Sequence, residues 1–218
     1  MIKFIGAKNL SWKYLAAYPF ADQSAFRVYQ EEFIKLAGSQ ISGSVTEIGG
    51  ELKYMHYRFF PNATSFLVTN IGRDHSEYLN ATDMNLADNS QDCFLCVSVL
   101  EHVHEFGKVI SEIQRTLKSG GVAILTVPFM YPIHDEIDYW RFTPQSLHAL
   151  FHEFAIDNFF YLGGRYSTVA VSLQRPRGKL APRYWLFKLF GWMLLLLGRW
   201  LEEPDTYTLG FGLVVRKR

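Results

Sequence analysis

Val45-Thr46-Glu47-Ile48-Gly49-Gly50 decides the fold of this chain. A short β-rich, apolar run ends in an acid and then two glycines. Glycine suits a point where the backbone turns sharply and must approach another group closely. Outward from this corner, the chain alternates between strand and helix patterns. Residues 44–48 read as a first strand, with a helix expected from Leu52 to Phe60. Pro61-Asn62 is a turn, and Ser65–Thr69 is a second strand. Tyr78–Ala81 reads as a short third strand and Cys93–Val99 as a fully apolar fourth. Helix 104–117 follows, with Phe106, Val109, Ile110, Ile113 and Leu117 on one face and Lys108, Glu112 and Arg115 expected in water. Gly120 or Gly121 is expected to cap it in the left-handed conformation. Val122–Val127 is a fifth strand, stopped by Pro128. Thr143-Pro144 opens another helix with a cap and a first-turn proline. Ala155–Leu162 is a sixth strand and Tyr207–Val215 a last one.

This alternation predicts an α/β fold: a doubly wound, mostly parallel seven-stranded sheet with helices on both faces and an antiparallel last strand. Its ligand belongs at the carboxyl ends of the strands, near the switch in strand order. At 218 residues the chain suits a single domain. We divide it into an N-terminal helical lid (1–42), a donor-binding core (43–165), an apolar helical insertion (166–205) and the last strand (206–218). In the lid, helical spacing runs over residues 10–37 and Pro19 breaks it.

The net charge of +1 gives no reason to expect a nucleic-acid partner. Cys93 and Cys96 have C-x-x-C spacing, but on a strand residues three apart point to opposite faces. We therefore expect buried core cysteines, neither bridged nor metal-bound. The N-terminus lacks a long apolar stretch, so a cytoplasmic location is the default expectation.

The signals Glu47-Ile48-Gly49-Gly50, Asp83-Met84, Leu100-Glu101-His102-Val103 and Leu117-Lys118-Ser119-Gly120-Gly121 come in a fixed order. Together they resemble the class I S-adenosylmethionine-dependent methyltransferases, in particular the small type 11 group. The resemblance covers roughly residues 40–165 and the final strand. It implies S-adenosylmethionine as cofactor and methyl transfer as the reaction. It further implies that Glu47, Gly49 and Gly50 meet the donor's methionine part, that Asn70 stands where the family has a ribose-binding acid, and that Asp83 and Met84 hold the adenine. Ser98 and Val99 would offer backbone to the methionine portion. Two departures are visible: Glu51 replaces a usual glycine, and Asn70 replaces the acid.

The segment Pro128–Thr143 is similar to one characteristic of the type 11 subgroup and is dense in polar and aromatic groups. His134 titrates near neutrality, as a general base should. Arg141 suits a bidentate clamp on phosphate or carboxylate, or else an internal pair with Asp138. Tyr139 and Trp140 suit stacking on a ring. These choices make His134, Arg141 and Tyr139 the candidate catalytic residues. Glu101-His102 is similar to a pair in ubiquinone-pathway O-methyltransferases, where a further glutamate upstream helps hold a divalent ion. That position is Ser98 here, so no metal site is expected.

The function that emerges is methyl transfer to a hydroxyl of a small, saccharide-linked or lipid-carried acceptor. The alternative is a non-catalytic methyltransferase-fold module with a decayed donor site. Tyr184–Leu201 is unusually apolar, yet too short in its uninterrupted part to span a bilayer. Lys188 and Arg199 share one helical stripe, and Arg175, Arg177, Lys179 and Arg183 precede or open the segment. Peripheral membrane contact or a homodimer through Tyr184–Leu201 is the expectation.

Overall fold

The computed structural model describes residues 3–20, 23–72, 77–173, 182–204 and 206–218. Eight strands and six α-helices alternate along it: β1 (Lys3–Ile5), α1 (Trp12–Ala17), α2 (Ala25–Gly38), β2 (Gly43–Ile48), β3 (Ala63–Asn70), β4 (Glu77–Tyr78), β5 (Gln91–Val97), α3 (Phe106–Thr116), β6 (Leu117–Pro128), α4 (Pro144–Leu150), β7 (Phe154–Leu162), α5 (Arg165–Leu173), α6 (Pro182–Leu201) and β8 (Gly210–Lys217). The strand order is β1-β7-β8-β6-β5-β2-β3-β4, a mixed, mostly parallel sheet with antiparallel strands. The chain packs as two compact units, one of Met1–Phe33, Phe129–Ile133 and Phe160–Phe211, the other of Ile34–Pro128, His134–Phe159 and Gly212–Arg218. Strands β7 and β8 pass from one unit into the other along the chain.

The second unit carries the parallel strands β5, β2 and β3. Glu47 stands beside Val68 on one side and Leu95 on the other, and Val97 is level with Thr126. This register brings the carboxyl ends of four strands to one edge. From β2 the chain runs outward through β3 and β4, then returns to β5 on the other side. The switch point therefore lies between β2 and β5, immediately beyond Ile48. Val45, Ile48, Phe94, Leu95, Ile124 and Leu125 are buried there, as parallel strands covered on both faces require. Cys93 and Cys96 are free and buried, and burial pushes the Cys93 thiol up to about 12.

Thr143 caps α4 reciprocally: its hydroxyl accepts from Ser146 N–H at 3.2 Å, and its own N–H donates to Ser146 Oγ at 2.9 Å. Helix α3 buries Val109, Ile110 and Ile113 as its spacing predicts. Glu112 and Arg115 do not simply face water. Glu112 accepts from Met84 N–H at 2.7 Å, and Arg115 donates to the carbonyls of Met84 and Leu86, pinning that loop to the helix.

Several local expectations fail. Residues 52–60 form two 3-10 turns, Leu52–Tyr54 and His56–Phe59, broken at Met55 with φ 50°. Leu52, Met55 and Tyr57 are exposed, so no helical face is buried to sustain an α-helix. Gly120 does take a positive φ of 76°, but inside a bulge of β6; α3 ends at Leu117 in extended backbone. The short third strand covers only Glu77–Tyr78. Strand β1 lies in the segment expected to be a helical lid and makes the sheet eight-stranded rather than seven, while α5 falls in the expected helical insertion.

The first unit holds α5 and α6. Helix α6 packs through the stripe Lys188, Gly191, Leu195 and Gly198, all buried. A Cβ on Gly191 would lie 3.1 Å from the Ala170 carbonyl, and one on Gly198 3.1 Å from Ala7 Cβ. Trp192 donates to the Leu15 carbonyl at 2.9 Å, and Arg199 donates to that of Leu10 at 2.5 Å while covering the Trp12 ring. The stripe bearing Lys188 and Arg199 thus faces the protein, and exposed apolar side chains fill the rest. No helix among the described residues is long and apolar enough to cross a membrane. Arg175, Arg177 and Lys179 lie outside the described residues, as does the side chain of Arg183.

Candidate active site

The donor corner is the turn at the end of β2. Gly49 has φ +67°, and a Cβ there would meet Val99 Cγ2 at 2.7 Å. A Cβ on Gly50 would meet the Glu47 carboxyl carbon at 2.5 Å. Both glycines are therefore required by packing within the corner, between the loop, Val99 and Glu47. Glu47 is 2% exposed and its Oε1 lies 2.6 Å from His56 Nδ1, itself buried. A carboxylate only accepts, so Nδ1 carries the proton. Among the described residues, His56 Nε2 has no hydrogen-bond partner. The acid expected to greet the donor's ammonium is turned into the corner onto a histidine that sequence reasoning missed. Its only signal was an imidazole nine residues downstream.

Asn70 ends β3 and is 8% exposed. Its Nδ2 donates to the Gly50 carbonyl at 2.9 Å, and its Oδ1 accepts from Ile71 N–H at 2.7 Å. One lone pair of Oδ1 remains, enough for one hydroxyl. Asp83 is exposed, whereas Met84 is 3% exposed and held beneath by Glu112. Ser98 and Val99 are half-buried beyond β5, with Ser98 in the left-handed region at φ 52°.

The acceptor loop is built on the turn that follows. The Glu101 carbonyl accepts from Tyr139 N–H at 2.8 Å and from Trp140 N–H at 3.3 Å. Trp140 Nε1 donates to the Val103 carbonyl at 3.1 Å. These bonds dock the 134–142 loop against Leu100–His102. Arg141 closes on Asp138 with both nitrogens, one at 2.6 Å, and also donates to the Trp140 carbonyl. Its fork is thus occupied within the loop, and we assign it to positioning rather than to clamping an anion. Tyr139 is half exposed, edge-on to His104 at 5.4 Å.

His134 donates its backbone N–H to Asp138 Oδ2 at 3.0 Å, and its Nδ1 lies 3.1 Å from the same oxygen, away from the straight geometry of a hydrogen bond. Burial raises the Asp138 carboxyl, but bonds from Arg141 and His134 outweigh it and hold it at about 2. Burial pulls the His134 imidazole below its ordinary value, against Asp138.

Glu101 is fully buried, and among the described residues neither oxygen has a hydrogen-bond partner of ordinary geometry. Burial pushes its carboxyl up to about 8, although Ser98 and its own amide are close enough to favour the charged form. The structure brings Glu101, His102 and His134 together, which the sequence did not suggest; their ligand atoms lie within 4.8 Å of one another.

Residues 53–125 match the family model described as a methyltransferase domain, Methyltransf_11. Over that segment the sequence is similar to the type 11 methyltransferases. Solved structures agree on the fold. An S-adenosylmethionine-dependent methyltransferase from Archaeoglobus fulgidus is 12% identical with a TM-score of 0.59, over 95% of this chain and 100% of that one. The geranyl diphosphate C-methyltransferase of Streptomyces coelicolor A3(2), solved with S-adenosyl-L-homocysteine, is 11% identical with a TM-score of 0.55, over 88% and 76%. The 4+2 cyclase SpnF is 15% identical with a TM-score of 0.57, over 99% and 98%. No curated protein matches the sequence.

The match over residues 53–125 supports S-adenosylmethionine as the cofactor. The strand edge fits it through the exposed Asp83 carboxylate, the remaining lone pair of Asn70 and the half-open Ser98–Val99 turn. Glu47 fits differently from the family pattern, because its carboxylate orders the corner through His56.

Proposed function

We propose that this methyltransferase domain moves a methyl group from S-adenosylmethionine to a hydroxyl of a small, saccharide-linked or lipid-carried acceptor. The observation that carries this reading is a coincidence of place. The segment matched by the methyltransferase family model delivers Asn70, Asp83 and Ser98 to the carboxyl edge of β3, β4 and β5, and the loop bearing His134 docks on the turn after Ser98.

When bound, S-adenosylmethionine supplies an electrophilic methyl group on a sulfonium sulfur. Asp83 would accept from the adenine amino group, and Asn70 Oδ1 would accept from one ribose hydroxyl. Ser98 and Val99 would present their backbone to the methionine end. The acceptor hydroxyl must lose its proton as its oxygen attacks carbon. The His134 imidazole, which burial favours in its neutral form, is the group assigned to take that proton. Arg141 and Asp138 hold the ring in place, and near-attack alignment contributes much of the rate. The test is incubation with methyl-labelled S-adenosylmethionine and cell extract, with the labelled product identified by mass spectrometry. His134→Gln should lose turnover by about 10²–10⁴-fold at unchanged donor affinity. Full activity in that variant removes the assigned role.

A second reading is a non-catalytic binding module. The Glu47–His56 bond and the Asn70–Gly50 bond favour it, since both spend donor-site polar groups inside the protein. The likeness to a cyclase shows that the fold alone does not fix the reaction.

The exposed face of α6 supports a peripheral lipid contact. Trp185, Leu186, Leu189, Phe190, Met193, Leu197 and Trp200 are all exposed there. A contiguous apolar face of this kind marks a membrane or protein contact.

A further inference from the structure

Helix α6 turns its charges inward and its apolar side chains outward. Leu186, Met193 and Leu197 lie along one line of the helix and are all exposed. Lys188 is buried, and Arg199 donates to the Leu10 carbonyl. A surface helix normally gives its charged face to water and its apolar stripe to the core. Here the protein takes the charged side, and the apolar side is left outside.

Helix α1 extends this face. Trp185, Trp192 and Arg199 are spaced seven apart, so they share a second line of α6, next to the first. Each of the three meets the α1 segment. Trp185 meets the Phe20 ring at 5.8 Å, Trp192 donates to the Leu15 carbonyl at 2.9 Å, and Arg199 covers the Trp12 ring at 4.3 Å. Helix α1 therefore lies antiparallel beside α6. Leu15 and Tyr18 supply its buried contacts, whereas Trp12 and Phe20 are 63% and 76% exposed. Phe20 is fixed at the end of α1 by its N–H bond to the Ala17 carbonyl at 2.9 Å. Two helices side by side thus expose one apolar surface, with aromatic rings at both ends of α1.

The charge around this surface selects its partner. From Asn158 to Leu201 the sequence holds seven Lys and Arg and no Asp or Glu, in a chain of net charge +1. Lys8 and Lys13 are exposed at the start of the α1 segment. Glu202, the first acid after α6, is turned inward, where it accepts from the N–H groups of Ala7 and Ser167 at 2.6 Å; Glu203 is exposed beyond it. A twofold dimer through this face would bring the same positive segment against its own copy. An anionic bilayer offers negative charge at its surface and hydrocarbon beneath, and so answers both features.

We propose that α1 and α6 together lie in the interface of an anionic phospholipid membrane, with Trp12, Phe20 and Trp200 at the headgroup level and Leu186, Met193 and Leu197 among the acyl chains. The proposal rests on the lipid contact of α6 and adds two things to it: the participation of α1, and selection for negative headgroups. It does not depend on methyl transfer.

The experiment uses the full chain and vesicles of phosphatidylcholine with and without phosphatidylglycerol, read by flotation and by tryptophan emission. We expect a blue shift of the emission and at least about tenfold tighter binding when phosphatidylglycerol is present. That binding should weaken by at least about tenfold between about 0.1 M and about 1 M salt, as the screening length falls from about 10 Å to about 3 Å. Changing Trp12→Gln together with Phe20→Gln should weaken it by at least about tenfold, with circular dichroism confirming the fold. Binding that survives this change but is lost with Leu186→Ser, Leu189→Ser and Phe190→Ser would overturn the assignment of α1 and leave the α6 contact standing. Equal binding to both vesicle types would overturn the selection for negative headgroups. A folded wild type that binds neither vesicle, whether monomer or stable dimer, would overturn the proposal and the α6 contact together.

Discussion

Replacing His56 by phenylalanine tests how the donor corner is held. The ring lies stacked between Tyr54 at 5.8 Å and Phe59 at 6.5 Å, so phenylalanine preserves the packing. It removes Nδ1, the partner of Glu47 Oε1 at 2.6 Å. The two side chains are 1% and 2% exposed, so no water replaces the lost bond. Removing one partner of a buried pair costs about 3–5 kcal/mol. For a chain of this size each kcal/mol lowers Tm by about 2–4 °C, which gives a fall of about 6–20 °C. Thermal unfolding by circular dichroism is the assay. Adding Glu47→Gln to His56→Phe removes the stranded charge and should restore at least half of the loss. A shift under about 2 °C for His56→Phe would refute the reasoning and would mean that Glu47 is solvated or faces a ligand.

Asn70→Asp sets a carboxylate against the Gly50 carbonyl in place of a 2.9 Å bond, so we expect a stability loss of about 1–3 kcal/mol and no gain in donor affinity; tighter donor binding would show that the amide is free to turn. Asp92 is held at about 2 by Lys118 and then by the Ser44 N–H and hydroxyl. Its folded pKa is depressed, so its contribution is present above the usual carboxylate range and lost as pH falls from about 4 toward 2; Asp92→Asn should flatten the acid-unfolding curve in that window, and an unchanged curve would count against the assignment. On α6, the triple change Leu186→Ser, Leu189→Ser and Phe190→Ser should abolish flotation with anionic liposomes while leaving Tm nearly unchanged, since all three side chains are exposed. Failure of the wild type to float, together with a stable dimer by light scattering, would assign that face to a second copy.

The strands around the switch point were legible because parallel strands buried on both faces are written as apolar runs, as in Cys93–Val97 and Val122–Val127. The cap of α4 was legible because Thr143, Pro144 and Ser146 act locally. Residues 52–60 do not form the expected helix because burial falls on His56 and Phe60 while most of the other large side chains stay exposed. The direction of α6 was hidden for a related reason: glycines at 191 and 198 let the stripe bearing Lys188 and Arg199 pack inward. In the candidate site, Asn70 and Asp83 could be placed by order along the chain. The partners of Glu47 and Glu101 could not, since each depends on a segment folded back by backbone bonds. For Glu101 that segment lies over thirty residues away.

The central claim is that the carboxyl edge of β3, β4 and β5 binds S-adenosylmethionine, and calorimetric titration of the wild-type chain against its Asp83→Ala variant tests it most directly. The account predicts one donor molecule bound per chain, with at least about tenfold weaker binding in the variant, equal to about 1.4 kcal/mol. No heat of binding in the folded wild type, or an affinity indifferent to Asp83, would contradict it.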